Sequence, residues 1–319
     1  MKPNHTMTLV LALVLMAMGA WTAGCEDGTD PSSSDGDDDN DNDDGTSDGD
    51  TDTDADADAD SDSDGDADCT EASQLVYAVD QNNLFYSFDP QAAPAQAFQQ
   101  IGAGPLNCPS GGQPFSMSVG RDGFAYILFV QGALTYNCVG INKVNIETGQ
   151  CVGLTPFSCG TQGFDTFGMG YVTDSATTTA ERLWVGNSES PANLATLDIA
   201  TGQVQIQAGL AASGPEFTGN SLGELWGFFP MAATPVVARI DKDTGTAVET
   251  YQLSSLSNDA NAWAFAHWGG SYYIFYKTVS DASTNVYKLQ NGNLTTHIAN
   301  TGKYIVGAGV STCAPTVVE

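Results

Sequence analysis

Basic residues are scarce in this 319-residue chain: nine Lys and Arg stand against 39 Asp and Glu, for a formal net charge of −30. That shortage excludes a basic stripe able to track a phosphate backbone, so nucleic acid is not an expected partner. Histidine is scarcer still, at three residues, which leaves few side chains to act as a base near neutral pH. The sequence has no phosphate-cradling Gly-x-x-x-x-Gly-Lys loop and no His-Glu-x-x-His zinc motif. It has no amphipathic stretch long enough for a substantial helix. It also lacks an apolar run of comfortable membrane-spanning length. The longest such run, Met7 to Ala20, covers only about 14 residues and follows Lys2, which is the pattern of a secretory signal segment.

The charge that is present is unevenly placed. Residues 26–68 hold 21 of the 39 acidic residues and no Lys or Arg. They consist of Asp, Gly, Ser, Thr, Ala and Asn, with Glu26 and Pro31 the exceptions. Such a stretch cannot bury enough apolar surface to offset ordering entropy, so it is expected to be disordered. A flexible chain of this length would span roughly 35–40 Å. The expected organisation is therefore a signal segment over 1–24, an acidic tether over 25–68 and a folded domain over 69–319. Calcium is the one cofactor raised by the sequence. Asp60, Asp62, Asp64, Gly65, Asp66 and Glu71 fit the loop spacing D-x-D-x-D-G-x₅-E. The competing reading is chance, since a low-complexity Asp repeat puts some frame into register.

Thr22-Ala23-Gly24-Cys25 directly follows the apolar run. This resembles the lipobox of bacterial lipoproteins. The resemblance implies that Cys25 is lipidated, begins the mature chain and anchors it to a membrane of the cell envelope. Cysteine parity agrees. Seven cysteines less Cys25 leave six: Cys69, Cys108, Cys138, Cys151, Cys159 and Cys313. An even set in an exported protein reads as disulfides. Their spacings do not form zinc-ligand pairs, and only His267 and His297 follow the signal segment.

From Cys69 onward, short apolar or alternating runs recur between Gly, Asn, Asp and Pro, the signature of an all-β domain. A repeat of 40 to 50 residues underlies them. "FAYILFV…VGINKVNIETGQCVGL" matches "RLWVGN…NLATLDIATGQVQIQAGL", "ELWGFFP…PVVARIDKDTGTAVETYQL" and "SYYIFYK…NVYKLQNGNLTTHI". Tight turns at Glu147–Gly149, Ala200–Gly202, Asp243–Gly245 and Asn291–Gly292 place Gly where a hairpin needs positive φ. A strand rich in small residues precedes each unit, beginning at Phe115, Phe167, Phe217 and Ala262. Small residues suit the crowded innermost strand of a propeller blade. The first unit, from Leu75, lacks that strand, and "YIVGAGVST" from Tyr304 supplies it from the other terminus. The expected fold is an all-β, five-bladed β-propeller with one blade shared between the termini. Six shorter blades are the alternative.

The turn motifs Val144–Gln150, Leu197–Gln203 and Arg239–Thr246 resemble those of secreted bacterial propellers of the quinoprotein and YVTN-repeat type. The likeness is at the level of the repeat, and fold likeness does not carry function. Blade closure places Cys69 beside Cys313. If the Glu147–Gly149 turn sets Ile146 against Cys151, facing positions sum to 297, which pairs Cys138 with Cys159 and leaves Cys108 for Cys151.

No catalytic set stands out. His267, Glu224 and Asp165 lie on or near inner-strand ends, where propeller sites gather, and each also has a plain structural reading. Asn220 and Asn261 with Glu224 and Asp165 would be the ligands of a lactonase-like metal site, if they converge. Trp184, Trp226, Trp263 and Trp268, with Tyr272, Tyr273 and Tyr276, are expected mostly between blades, with exposed members free to stack on sugar rings. The leading expectation is a monomeric binding or interaction module for a protein or polysaccharide. The alternative is a metal-assisted hydrolase acting at the central channel.

Overall fold

A computed structural model describes residues 69–132 and 135–318. The signal segment, Cys25 and the candidate calcium residues Asp60, Asp62, Asp64 and Asp66 lie outside them. The described chain is a five-bladed β-propeller, each blade a four-stranded antiparallel sheet. The second blade runs β4 (Gln113–Val119), β5 (Phe124–Gln131), β6 (Asn137–Asn145) and β7 (Cys151–Leu154). The third is β8 (Phe167–Thr173), β9 (Glu181–Asn187), β10 (Ala192–Leu197) and β11 (Val204–Leu210). The fourth is β12 (Glu216–Gly219), β13 (Leu225–Phe229), β14 (Val236–Ile240) and β15 (Ala247–Gln252). The fifth is β16 (Ala260–Trp268), β17 (Ser271–Thr278), β18 (Asn285–Gln290) and β19 (Asn293–Ile298). The first blade has β1 (Val76–Asp80), β2 (Phe85–Phe88) and β3 (Phe98–Ile101) in chain order, and its innermost strand is β20 (Ile305–Val310), from the far end of the sequence. The register sets Val76 opposite Val310 and Val79 opposite Gly307. A sixth blade has no place, because residues 102–112 form a loop between β3 and β4.

Burial follows the blades. Alternating side chains leave each sheet on both faces, and each face packs against a neighbouring blade. The apolar residues accordingly gather in clusters that each join two adjacent blades. Tyr77, Phe85, Met117 and Ile127 join the first blade to the second. Leu128, Phe167 and Leu183 join the second to the third. Leu194, Phe217 and Leu225 join the third to the fourth. Phe228, Phe265 and Tyr276 join the fourth to the fifth. Phe88, Phe275, Ile305 and Val310 close the ring between the fifth and the first. Trp226 and Tyr272, with ring centroids 4.7 Å apart, belong to this packing.

Three bridges use all six cysteines: Cys69–Cys313, Cys108–Cys151 and Cys138–Cys159. The first closes a chain separation of 244 residues, for which the chain-entropy treatment gives stabilisation of up to ~5 kcal/mol. The expected register behind the Cys138–Cys159 pairing is wrong. Cys151 faces Val144, not Ile146, and the ladder shifts between Lys143 and Val144. The physical reason is the turn: Asn145 Oδ1 accepts from the N–H groups of Glu147 and Thr148, and the Gly149 N–H reaches the Asn145 carbonyl. Ile146 is thereby drawn out of the ladder, and Cys159 lies in the loop beyond β7.

The same side-chain-capped turn recurs at Asp198 and Asp241, whose carboxylates accept from the two residues before each turn's Gly. Positive φ is only part of what these Gly provide. At Gly245 (φ 68°), an added Cβ would also collide with the carbonyl oxygen of Gly209 on β11 of the preceding blade. Gly214 has similar backbone (φ 65°) but open space around it. Gly214→Ala should therefore cost about 1–2 kcal/mol from φ alone. Gly245→Ala should cost roughly 1–3 kcal/mol more, through the forced blade contact. Urea unfolding of the two variants measures the difference; equal losses would refute the blade-docking role of this turn.

Candidate functional site

The five inner strands β4, β8, β12, β16 and β20 pack side by side around the axis. Gly168 and Gly170 on β8 face Pro215 and Phe217 in turn, so β8 runs parallel to β12. Gly309 on β20 lies against Ser118 on β4, where an added Cβ would stand 2.8 Å from the Ser118 Cα. Close approach explains the small residues of these strands. Parallel packing also gives the channel two chemically different mouths, one at the strand starts and one at the strand ends.

At the starts lies a cavity of about 160 Å³ to which every blade contributes. The first blade provides Gln81 and Tyr304, and the second Gln113, Phe115 and Tyr136. The third provides Gly168 and Ser188, the fourth Glu216, and the fifth Asn261 and Trp263. Glu216, the first residue of β12, is 97% buried (3% exposed) and is the only carboxylate among the lining residues. Ser116 Oγ donates to it at 3.0 Å, and the Met169 N–H supports it as well. These bonds favour its charged form, but burial outweighs them and holds the carboxyl well above the ordinary Glu range. The room for it comes from Gly168, where any side chain would strike the Glu216 carboxyl.

The rim is ordered by side-chain contacts. Asn261 Nδ2 donates to the Tyr304 hydroxyl at 2.6 Å. The Lys277 ammonium lies 4.9 Å from the Tyr304 ring centroid, a cation–π contact. Phe115 and Tyr136 rings stand 5.8 Å apart. Trp263 is half-buried. The Trp226 and Trp268 indoles donate to Glu224 and to the Gln74 carbonyl, whereas the Trp263 indole N–H finds no acceptor among the described residues. The cavity thus joins aromatic faces, three carboxamides and one carboxyl favoured in its acid form.

The opposite mouth has a wider depression, about 560 Å³, lined by Arg121, Asp122, Glu147 and Glu181. Two of its three acids are already engaged. Glu181 accepts from the Arg121 N–H at 2.8 Å and from Thr312 Oγ1 at 2.7 Å. Asp122 accepts from the Tyr126 hydroxyl at 2.7 Å and from Lys143 at 2.9 Å. The Glu181 bonds tie together the first three blades, while the exposed Glu147 carboxylate and the buried Arg121 Nε have no partner among the described residues.

The candidate metal quartet is split between the two ends. Asn220 and Glu224 sit together in the β12–β13 turn, with Asn220 Nδ2 donating to Glu224 at 3.0 Å. Asn261 is at the cavity, and Asp165 caps the Cys138 N–H at 3.3 Å. Convergence of the four on one ion is therefore overturned, because their strand positions hold them at opposite mouths. Among the described residues, no group of three or more His, Cys, Asp and Glu is placed to hold a metal. Glu71 is exposed and precedes a short 3₁₀ turn (Ala72–Gln74). Gly219-Asn220-Ser221-Leu222-Gly223 has the spacing of a hydrolase nucleophile elbow. It occupies a β-hairpin, not the strand-to-helix turn that exposes such a serine. Sequence reasoning missed Glu216. The available signal was one charged residue entering an apolar inner strand, "GPEFTG".

No family model and no curated protein matches the sequence. Solved structures do resemble it. A chain of the nidogen/laminin complex is 10% identical, with 74% of this chain and 97% of that one covered at a TM-score of 0.47. A gluconolactonase from Xanthomonas campestris is 13% identical, with 63% and 68% covered at 0.39. TolB from Acinetobacter baumannii is 10% identical, with 72% and 54% covered at 0.42. Likeness this distant carries no inference about ligand or chemistry.

His267, on β16, is buried; its backbone N–H donates to Thr218 Oγ1 at 3.0 Å, and its ring lies 5.3 Å from that of Tyr272. Burial lowers its pKa to about 4, against a smaller opposing pull from Glu224. The unfolded chain takes this proton near pH 6.5 and the folded one resists it. The His267 contribution is thus intact above about pH 6.5 and is lost progressively as the pH falls toward 4, by up to ~3 kcal/mol. His267→Gln should flatten that part of the stability–pH curve, measured by urea unfolding at about pH 7 and about pH 4.5. Parallel curves for the two proteins would show that His267 protonates freely in the fold.

Proposed function

We propose that this protein is a lipid-anchored binding module of the bacterial cell envelope, presenting its propeller on an acidic tether and holding a small organic ligand in the cavity at the inner-strand starts. The observation that carries the binding reading is a concave site assembled from all five blades, in which aromatic faces meet the Gln81 and Gln113 carboxamides, both without a protein partner among the described residues, at the axis. Convergent polar groups on an apolar wall are the usual form of a small-molecule site. The envelope placement is supported by the Thr22–Cys25 motif, by the long acidic segment after it and by three disulfides.

Binding fits the lining better than hydrolysis does. Glycoside hydrolysis ordinarily takes two carboxyl groups, about 5–5.5 Å or about 6.5–9.5 Å apart, and Glu216 is the sole carboxylate among the lining residues. His267 lies toward the other end of its inner strand and is buried in packing.

Two measurements test the reading. Cys25→Ser should shift the protein from the membrane fraction to the soluble one, and intact-mass analysis of the wild type should find lipid on Cys25; an unmodified thiol there ends the anchoring proposal. For the cavity, protein-observed NMR with a library of neutral, anionic and cationic small organic probes should move the Trp263 indole and the Gln81, Gln113 and Asn261 side-chain amide signals together. Shifts gathered elsewhere would remove the cavity as the binding site.

A further inference from the structure

Resting on the cavity as the binding site, we infer that its ligand is a neutral saccharide ring, its apolar face on Trp263 and its hydroxyls bonded to Gln81, Gln113, Asn261 and the Glu216 carboxyl.

Charge narrows the choice first. An anionic guest would enter a domain that is itself acidic: residues from Cys69 on carry 18 Asp and Glu against eight Lys and Arg. No Lys or Arg is among the lining residues, and the nearby Lys277 ammonium is taken up by the Tyr304 ring and the Thr278 carbonyl. A cationic guest would find aromatic rings, but the Lys277 ammonium already lies 4.9 Å from the Tyr304 centroid. That ring face is therefore already occupied. The buried carboxyl also resists becoming the anion that such a guest would need. A neutral guest meets none of these penalties.

Hydrogen-bonding capacity narrows it further. A carboxamide both donates and accepts, and so does a hydroxyl, so amides at the rim match a polyol in several orientations. The side chains of Gln81 and Gln113 are exposed and make no protein hydrogen bond among the described residues. A protonated Glu216 carboxyl likewise offers one donor and one acceptor, and Ser116 occupies only part of its capacity. The free Trp263 N–H adds one more donor. A sugar ring adds an apolar C–H face to its hydroxyls, and a half-buried indole stacks on such a face. The volume agrees: about 160 Å³ is below the ~300–1,000 Å³ of drug-sized pockets, room for one ring with the remainder of a longer glycan outside.

The test uses the full-length protein, with calorimetric titration of neutral monosaccharides (glucose, galactose, mannose, N-acetylglucosamine) and their short oligomers. Galacturonate and choline serve as anionic and cationic comparisons. At least one neutral sugar should bind at least tenfold more tightly than either charged probe. Trp263→Ala should weaken it at least tenfold, and Trp263→Phe, which keeps an aromatic face, should recover most of the loss. Glu216→Gln, which keeps a neutral donor and acceptor, should stay within about threefold of wild type. Tighter binding of choline or galacturonate, abolished by Trp263→Ala, would overturn the saccharide class while leaving the cavity as the binding site. Neutral-sugar binding indifferent to Trp263→Ala would overturn the placement of the ring. Failure of every probe to bind or to move the Trp263 signal would overturn both this inference and the cavity reading beneath it.

Discussion

The pairing of β20 with β1 is the contact on which the rest of the molecule depends. A propeller blade buries its faces only against neighbours, so an open ring would expose two of them. β20 gives the first blade its inner strand and supplies Ile305, Ala308 and Val310 to the cluster that joins the fifth blade to the first. The Cys69–Cys313 bridge fastens the same junction from the ends of the strands, and Thr312, just beyond β20, ties that strand's end to the second and third blades through Arg121 and Glu181. The cavity depends on closure as well. Tyr304 stands directly before β20, and without β20 it would have no fixed position opposite Asn261.

Crowding at the axis governs what the site can be. Parallel inner strands approach so closely that Gly168 and Gly309 admit no side chain. The absence of a side chain at Gly168 lets a carboxyl from the next blade occupy the wall of the channel. Burial favours the acid form of Glu216 and also of Glu181 at the other mouth, which is bonded to Arg121 and Thr312 in fastening blades. The two differ in what they join: Glu216 lines the cavity at the strand starts, and Glu181 links the first three blades.

Much of the architecture is legible in the chain. The Gly-containing turns at 149, 202, 245 and 292 mark the outer hairpins, and the small-residue runs from Phe115, Phe167 and Tyr304 mark inner strands. These signals are local: positive φ and close approach restrict residue type at the position itself. Register is less legible. Asn145 binds its own turn and draws Ile146 out of the ladder, which moved the partner of Cys151 to Val144. A side chain bonding to backbone two residues on changes pairing without altering the hydrophobic pattern.

The site was the least legible part. Glu224 and Asp165 drew notice as acids near inner-strand ends, yet Glu224 caps a hairpin with Asn220 and Asp165 holds the Cys138 N–H. Trp263 was one aromatic among several, and only its position separates it from Trp226, which is stacked between blades near Tyr251 and Tyr272. By itself the sequence determined the all-β class and the shared blade and favoured five blades over six, because each rests on turn chemistry and strand patterning repeated along the chain; the tertiary structure decided the count. Which residues meet at the axis was decided by the tertiary structure alone: Gln81, Gln113, Glu216, Asn261 and Trp263 come from different blades and share no local signal. They become neighbours only when closure of the ring brings five strand starts to one point.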